Sequence, residues 1–367
     1  MKVSGKNYRT IWQCDINKEV VKIIDQRLLP HEFSIIDLVT YTDAINAISD
    51  MAVRGAPLIG GTAAWGMFLA AVEMKNKNLG IEFILKAAKE ISESRPTAVN
   101  LIWAVNRIAE KVENLDDRDS IVSIIEKEAT DICNEDAENC KRIGEHGLEL
   151  IREISLRKAG EPVNILTHCN AGWLATIDNG TATAPIYAAR DHGVDIHVWV
   201  DETRPRNQGA SLTSWELLHE DISHTLIVDN AGGHLMQHGF VDICIIGSDR
   251  TTRTGDVCNK IGTYLKALAA KDNNIPFFVA LPHSTIDWSI RDGLREIPIE
   301  ERDPEEVSHI YGLSNNSLER VKITPDQTKC SNYAFDVTPR KYISGLITPR
   351  GICDANESDI SRLYPEF

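Results

Sequence analysis

Hydrophobic and polar positions change rhythm twice along this chain. Up to about residue 38, short apolar stretches partly alternate with polar residues: Thr10-Ile-Trp, Val20-Val-Lys-Ile-Ile-Asp and Phe33-Ser-Ile-Ile-Asp, with Leu28-Leu-Pro breaking between the last two. That rhythm predicts short strands. From there to Arg157 the spacing is helical. Thr42 or Asp43 is placed to cap a helix through Met51, and Gly60 to Met74 is alanine-rich and apolar all round, which marks a buried helix. Amphipathic helices are predicted over 81–94, 97–113, 118–133 and 136–157. After Gly160-Glu-Pro the chain alternates strand and helix, with strands beginning near 163, 196, 225, 242 and 276. Four of these five lead on through a segment long enough for a crossover helix. The shorter link 229–241 has room for about two helical turns. The tail from about 300 is less regular, although Tyr342-Ile-Ser-Gly-Leu-Ile-Thr can add a late strand. The expected fold is α/β: a small N-terminal domain of short strands and helices (1–130), then a Rossmann-like parallel-sheet domain (131–367).

The strand ends carry the functional signal. Ile165-Leu-Thr runs into His168-Cys-Asn-Ala-Gly172, Val198-Trp-Val into Asp201-Glu-Thr-Arg204, and Ile227-Val into Asp229-Asn230. Ile243-Cys-Ile-Ile runs into Gly247-Ser-Asp-Arg250, and Phe277-Phe-Val-Ala-Leu into Pro282-His-Ser284. In open α/β sheets ligands bind at this carboxyl edge, so the chain reads as an enzyme. No G-x-G-x-x-G follows the first strand of the repeating region, so a dinucleotide is not expected.

Charge narrows the choice of partner. Lysine plus arginine number 39 against 54 acidic residues, a net charge of -15, which disfavours nucleic acid and anionic membranes. An anionic substrate must then be gripped by local basic residues. The eight cysteines form no C-x-x-C pair, which points to a reducing cytoplasm without disulfides or structural zinc. The N-terminus lacks a hydrophobic signal core, and the apolar run from Leu58 to Val72 falls short of the roughly 20 residues of a membrane span.

Several residues can carry chemistry. Cys169 follows a strand, and the next residues can open a helix whose N-terminus would lower the thiol pKa; the alternative is a packing cysteine. Asp249 ends an apolar strand, where a raised pKa suits a general acid; the alternative is an ion pair with Arg250. Asn259 and Lys260 fall near an expected helix start, and Arg54 and Arg95 precede two others, which together suggest a phosphorylated ligand. Gln208 is a candidate for a sugar hydroxyl or phosphate, or for a loop bonding its own backbone. The histidines at 234, 238 and 283 have no metal-ligand spacing, so no metal is expected.

Six segments taken together resemble the S-methyl-5-thioribose-1-phosphate isomerases of methionine salvage. They are Arg54-Gly-Ala-Pro-Leu-Ile-Gly60, Arg95-Pro-Thr-Ala-Val-Asn-Leu101, Thr167-His-Cys-Asn-Ala-Gly172, Asp201-Glu-Thr-Arg-Pro205 with Gln208-Gly-Ala210, Gly247-Ser-Asp-Arg250, and Gly255-Asp-Val-Cys-Asn-Lys-Ile-Gly-Thr-Tyr264. The resemblance implies a cytoplasmic homodimer acting on a sugar phosphate without a cofactor. It implies Cys169 and Asp249 as catalytic pair, and Arg54, Gly55, Ala56, Arg95, Gln208, Asn259 and Lys260 as substrate-binding positions. Related branches isomerise 5-deoxyribose 1-phosphate or ribose 1,5-bisphosphate, or regulate guanine exchange in translation initiation without catalysis. Trp173 and Arg253 depart from the family pattern, and are expected to reshape the pocket around the sugar's 5-substituent.

Overall fold

The computed structural model describes residues 1–95 and 99–367. A two-residue ribbon, β1 (Lys2–Val3) with β2 (Lys6–Asn7), precedes an antiparallel sheet of β3 (Ile11–Gln13), β4 (Val21–Asp25) and β5 (Ser34–Leu38). These are the short strands the alternation predicts. Helix α1 (Tyr41–Ser49) starts earlier than expected because Thr40 is its cap: the Thr40 hydroxyl accepts the Asp43 N–H, and the Asp43 carboxylate accepts the Thr40 N–H. Asp43 is thus the reciprocal partner in a capping box, not the cap.

Helix α2 (Ala56–Asn76) is buried almost all round, packed by α1, α3 (Ile81–Ser92), α4 (Val99–Val112) and α5 (Arg118–Arg157). Its 21 residues make it long and apolar enough to cross a membrane, more than the Leu58–Val72 run suggested. Yet 89% of its most apolar window lies inside the protein, where it forms the centre of the N-terminal core. The start expected for α4 at residue 97 lies outside the described residues. The break expected near 134–135 is absent, and α5 is one helix of 40 residues. Asn134 and Glu135 lie on its exposed face, whereas Cys133, Asp136 and Cys140 keep the buried stripe continuous. The N-terminal half of α5 packs on α2 and its C-terminal half on α6 (Ala184–Asp191). Residue 130, the expected domain boundary, falls inside this helix.

The main sheet has seven strands in the order β18-β17-β12-β9-β6-β7-β8. They are β6 (Val163–Thr167), β7 (Ile196–Asp201), β8 (His224–Ile227), β9 (Ile243–Ile246), β12 (Phe277–Ala280), β17 (Gly345–Thr348) and β18 (Gly351–Cys353). All pairings are parallel except that of β18. Counted from β6, the parallel strands run 3-2-1-4-5-6, the doubly wound order. The direction of winding reverses between β6 and β9. Apolar residues on both faces of these strands pack under helices on each side, including α7 (Ser214–His219), α8 (Ala231–Gln237) and α9 (Thr263–Asp272). A smaller sheet stands beyond the carboxyl edge, with β10 (Arg250–Thr252), β11 (Val257–Lys260), β13 (Ile286–Asp287) and β16 (Phe335–Thr338) in the order β13-β10-β11-β16. A hairpin of β14 (His309–Ser314) and β15 (Ser317–Lys322) projects beside it.

Candidate active site

Cys169 follows β6 and Asp249 follows β9, so the reversal of winding places them side by side at the carboxyl edge. A cleft of about 370 Å³ collects them with Arg54, Gly55, Ala56, Asn170, Ser248 and Asn259, and its walls include Pro57, Ala171, Ala175 and Pro282. Arg95 lines an adjoining cavity that shares Ala56 and Asp249 with the first. Gln208 and Arg54 line a wider opening of about 1680 Å³, bordered by the β14–β15 hairpin. The candidate residues from the two halves of the chain thus meet around one switch point.

Cys169 is not followed by an α-helix. Its own backbone is left-handed, with φ 66°, and the chain makes a single 3-10 turn at Trp173–Ala175 before α6. A non-glycine residue holds that conformation only when its surroundings enforce it. Here the Thr203 hydroxyl accepts the Cys169 N–H at 2.8 Å, and the Thr213 hydroxyl donates to the Cys169 carbonyl at 2.8 Å. No helix N-terminus is there to lower the thiol. Burial pushes the Cys169 thiol above its usual value; Arg54 and Lys260 pull it back, while Asp249 adds to the rise. The Arg54 guanidinium donates toward the Cys169 sulfur at 3.9 Å and to the main-chain and side-chain oxygens of Asn170 at 2.7 and 2.6 Å. Gly55, with φ 92°, lies so close to Ala175 that any Cβ would sit 2.5 Å from its carbonyl oxygen. Only glycine lets this corner between α1 and α2 approach the thiol loop.

Asp249 does not pair with Arg250, whose guanidinium is bound by Asp287. The Asp249 N–H donates to the Cys258 carbonyl, which fixes the acid beside β11. Desolvation pushes its carboxyl above the ordinary range, against Lys260, Arg54 and Arg95. Asn259 and Lys260 are on β11 and not on a helical first turn; α9 begins after Gly262. The small antiparallel sheet, not a helix dipole, delivers Lys260 into the site. It is buried, with its ammonium 4.5 Å over the Phe335 ring, and desolvation lowers its pKa although Cys169 and Asp249 favour its charge. Arg95 is held at 3.1 Å by Glu300. Gln208 is buried, and its side-chain oxygen has no partner among the described residues.

Trp173 and Arg253 do not line the cleft. Trp173 is fully buried and stacks on Trp215, and Arg253 pairs with Glu357 at 3.0 Å. The sequence pattern gave no role to Thr203, Thr213, Asn170 or Glu216. An acid enclosed by Trp215 and Leu217-Leu218 was the available signal for Glu216.

Among the described residues, His168, Asp201 and Asp229 bring ligand atoms close enough for a metal ion. The Lys266 ammonium already stands there, 3.1 Å from Asp201 and donating to the Asp229 carbonyl. His168 spends its two ring nitrogens on Asp201 and on the Ile261 carbonyl. This donor set is satisfied by a lysine and does not fit a metal.

A doubly wound sheet with a buried thiol, carboxyl and amine at its switch point defines an α/β protein with a small-ligand cleft at its carboxyl edge. The profile of the initiation factor 2 subunit family matches residues 52–355. The chain is 55% identical over 366 residues to a methylthioribose-1-phosphate isomerase of Desulfatibacillum aliphaticivorans, covering 100% of this chain and 99% of that protein. It is 55% identical over 368 residues to the protein of that name from Sinorhizobium medicae, covering 100% of each. The crystal structure of a 5-methylthioribose 1-phosphate isomerase from Pyrococcus horikoshii OT3 superposes with a TM-score of 0.83 at 40% identity, covering 99% of this chain and 97% of that one. A structure described as translation initiation factor eIF-2B subunit delta, from A. fulgidus, superposes with a TM-score of 0.79 at 36% identity, covering 98% and 100%. The chain belongs to the initiation factor 2 subunit family, on its methylthioribose-1-phosphate isomerase branch.

Proposed function

We propose that this protein is an aldose–ketose isomerase of methionine salvage, converting S-methyl-5-thioribose 1-phosphate to S-methyl-5-thioribulose 1-phosphate. The end-to-end identity with relatives carrying that name is the observation that carries the activity. The regulatory reading of the family is weaker here, because a thiol and a carboxyl face the same cleft.

The phosphate on C1 prevents opening to a free aldehyde, so a proton must first reach the ring oxygen. Asp249 is the proposed donor, and the burial that raises its pKa supports the role by favouring the protonated acid. Protonation lets the C1–O4 bond break, leaving positive character at C1. In one route the Cys169 thiolate takes the C2 proton and an enol phosphate forms. In the other, hydride moves from C2 to C1 while a base takes the 2-hydroxyl proton. The raised thiol and the alanine and proline walls of the cleft weigh for the hydride route, because a cation at C1 survives only where water is excluded. Arg54, Arg95 and Lys260 supply positive charge for the phosphate. Gly55, Ala56, Gln208 and Asn259 complete the proposed binding set. The buried, unpartnered oxygen of Gln208 supports its contact with a sugar hydroxyl. No step requires a cofactor.

A homodimer is proposed on the resemblance. Location in a reducing cytoplasm is supported by the free state of all eight cysteines.

Phosphorus NMR of the protein with S-methyl-5-thioribose 1-phosphate in deuterium oxide tests the proposal. Conversion to the ketose 1-phosphate is expected, without deuterium at C1. Deuterium at C1 would exclude a pure hydride shift; no conversion would overturn the activity. Cys169→Ala and Asp249→Asn should each fold and lose about 100-fold or more in turnover. A near-normal rate in either would remove that residue from the mechanism.

A further inference from the structure

Glu216 lies on α7, outside the cleft, and is completely buried. Among the described residues no cation pairs with it. Instead four donors converge on its carboxylate. Its Oε1 accepts the Asn170 side-chain amide at 2.8 Å and the Leu174 N–H at 2.9 Å; its Oε2 accepts the Trp173 N–H at 2.9 Å and the Tyr187 hydroxyl at 2.7 Å. Gly172 makes the approach possible, because a Cβ there would fall 2.0 Å from Oε2. Both oxygens face a main-chain N–H, so an amide in this place must point its own NH2 at a donor, whichever way it turns.

The Asn170 contact reaches the cleft. With its NH2 committed to Glu216, Asn170 turns its oxygen to Arg54, which also reaches toward the Cys169 sulfur. We infer that Glu216 is a positioning residue: through Asn170 it aims the Arg54 guanidinium at the Cys169 thiol and the substrate. If Asn170 flipped, its NH2 would oppose the guanidinium, and Arg54 would keep only the Asn170 main-chain oxygen as an anchor. A freed Arg54 would screen the thiol less, and Cys169 would ionise at higher pH.

This inference deepens the isomerase reading and rests on it for its kinetic part alone. Two measurements decide it: steady-state isomerisation, and the pH dependence of Cys169 alkylation by iodoacetamide, followed by mass spectrometry of the peptide. Glu216→Gln should lower kcat/KM about 100-fold, the scale of a misplaced binding group. It should also move the alkylation midpoint to higher pH. Combined with Asn170→Ala it should cost no more than the larger single change, because both act through one contact. Tyr187→Phe, which removes a donor to the same carboxylate but leaves Asn170 alone, should keep near-normal turnover. Gly172→Ala pushes the carboxylate aside without removing it, and should shift alkylation in the same direction even if Glu216→Gln fails to fold. An unmoved alkylation midpoint in the folded variants, additive losses in the double variant, or equal loss in Tyr187→Phe would each overturn the inference. Failure of the wild-type protein to isomerise the substrate would reject the activity, while alkylation would still decide the positioning.

Discussion

Lys260 acts on two acidic groups at once, the Cys169 thiol and the Asp249 carboxyl. Its ammonium favours the anionic forms of both Cys169 and Asp249, while its own burial works against its charge. Replacing it with methionine removes a cation from beside both acids, so both pKa values rise. The limb of the pH–rate profile that reports loss of the Asp249 proton should move to higher pH in Lys260→Met. A profile that keeps its midpoints would show that Lys260 acts only on the phosphate. At this scale the sequence was informative about identity and poor about cause. Cys169, Asp249, Arg54 and Asn259 were named from strand ends and a family pattern, and they do meet in one cleft. The helix N-terminus expected to lower the Cys169 thiol and the helix start expected at Lys260 both fail, because one residue precedes a non-helical loop and the other is in a strand. Glu216 was missed because its value depends on which donors the fold brings to it, and composition does not encode that.

The elements themselves were legible wherever a periodic apolar face meets one partner. The parallel strands and the short helix α8 fall where alternation places them. The unbroken course of α5 was not legible, since polar residues at 134 and 135 look like an ending until their exposure on the outer face is known. One residue further, Asp136 accepts the Ile177 N–H at 2.8 Å and so ties α5 to the loop behind the cleft. Burial, with help from Asp178 and against Arg9, pushes its carboxyl up to about 7. Because this value is raised, the native state holds the proton more tightly than the unfolded chain. The associated stability is complete below the ordinary carboxylate range and is lost as pH rises through about 7. Asp136→Asn should therefore match the wild type near pH 4 and exceed it at pH 8, by up to roughly 4 kcal/mol. Denaturant melts at the two pH values check this; an advantage that does not grow with pH would show that Asp136 does not titrate there.

At the scale of the whole molecule, the doubly wound order explains why two halves of the chain make one site. We propose the division near residue 130 as a division of cores: one gathers on α2 and takes from α5 residues up to Cys133, and the other begins on α5 at Ile143. The tail completes the second body by adding β17 and β18 to the main sheet and β16 to the small one. None of that was visible in its irregular pattern beyond the single strand at 345.

Helix α5 spans about 60 Å and belongs to both bodies. A rod shared in this way works as a strut, so parting Arg54 and Arg95 from Cys169 and Asp249 along its length would bend it. The wider opening is bordered by the loops around Gln208 and by the hairpin. The same rod couples the melting of the two cores, so calorimetry should record one transition. Two resolved transitions would mean that the rod breaks first.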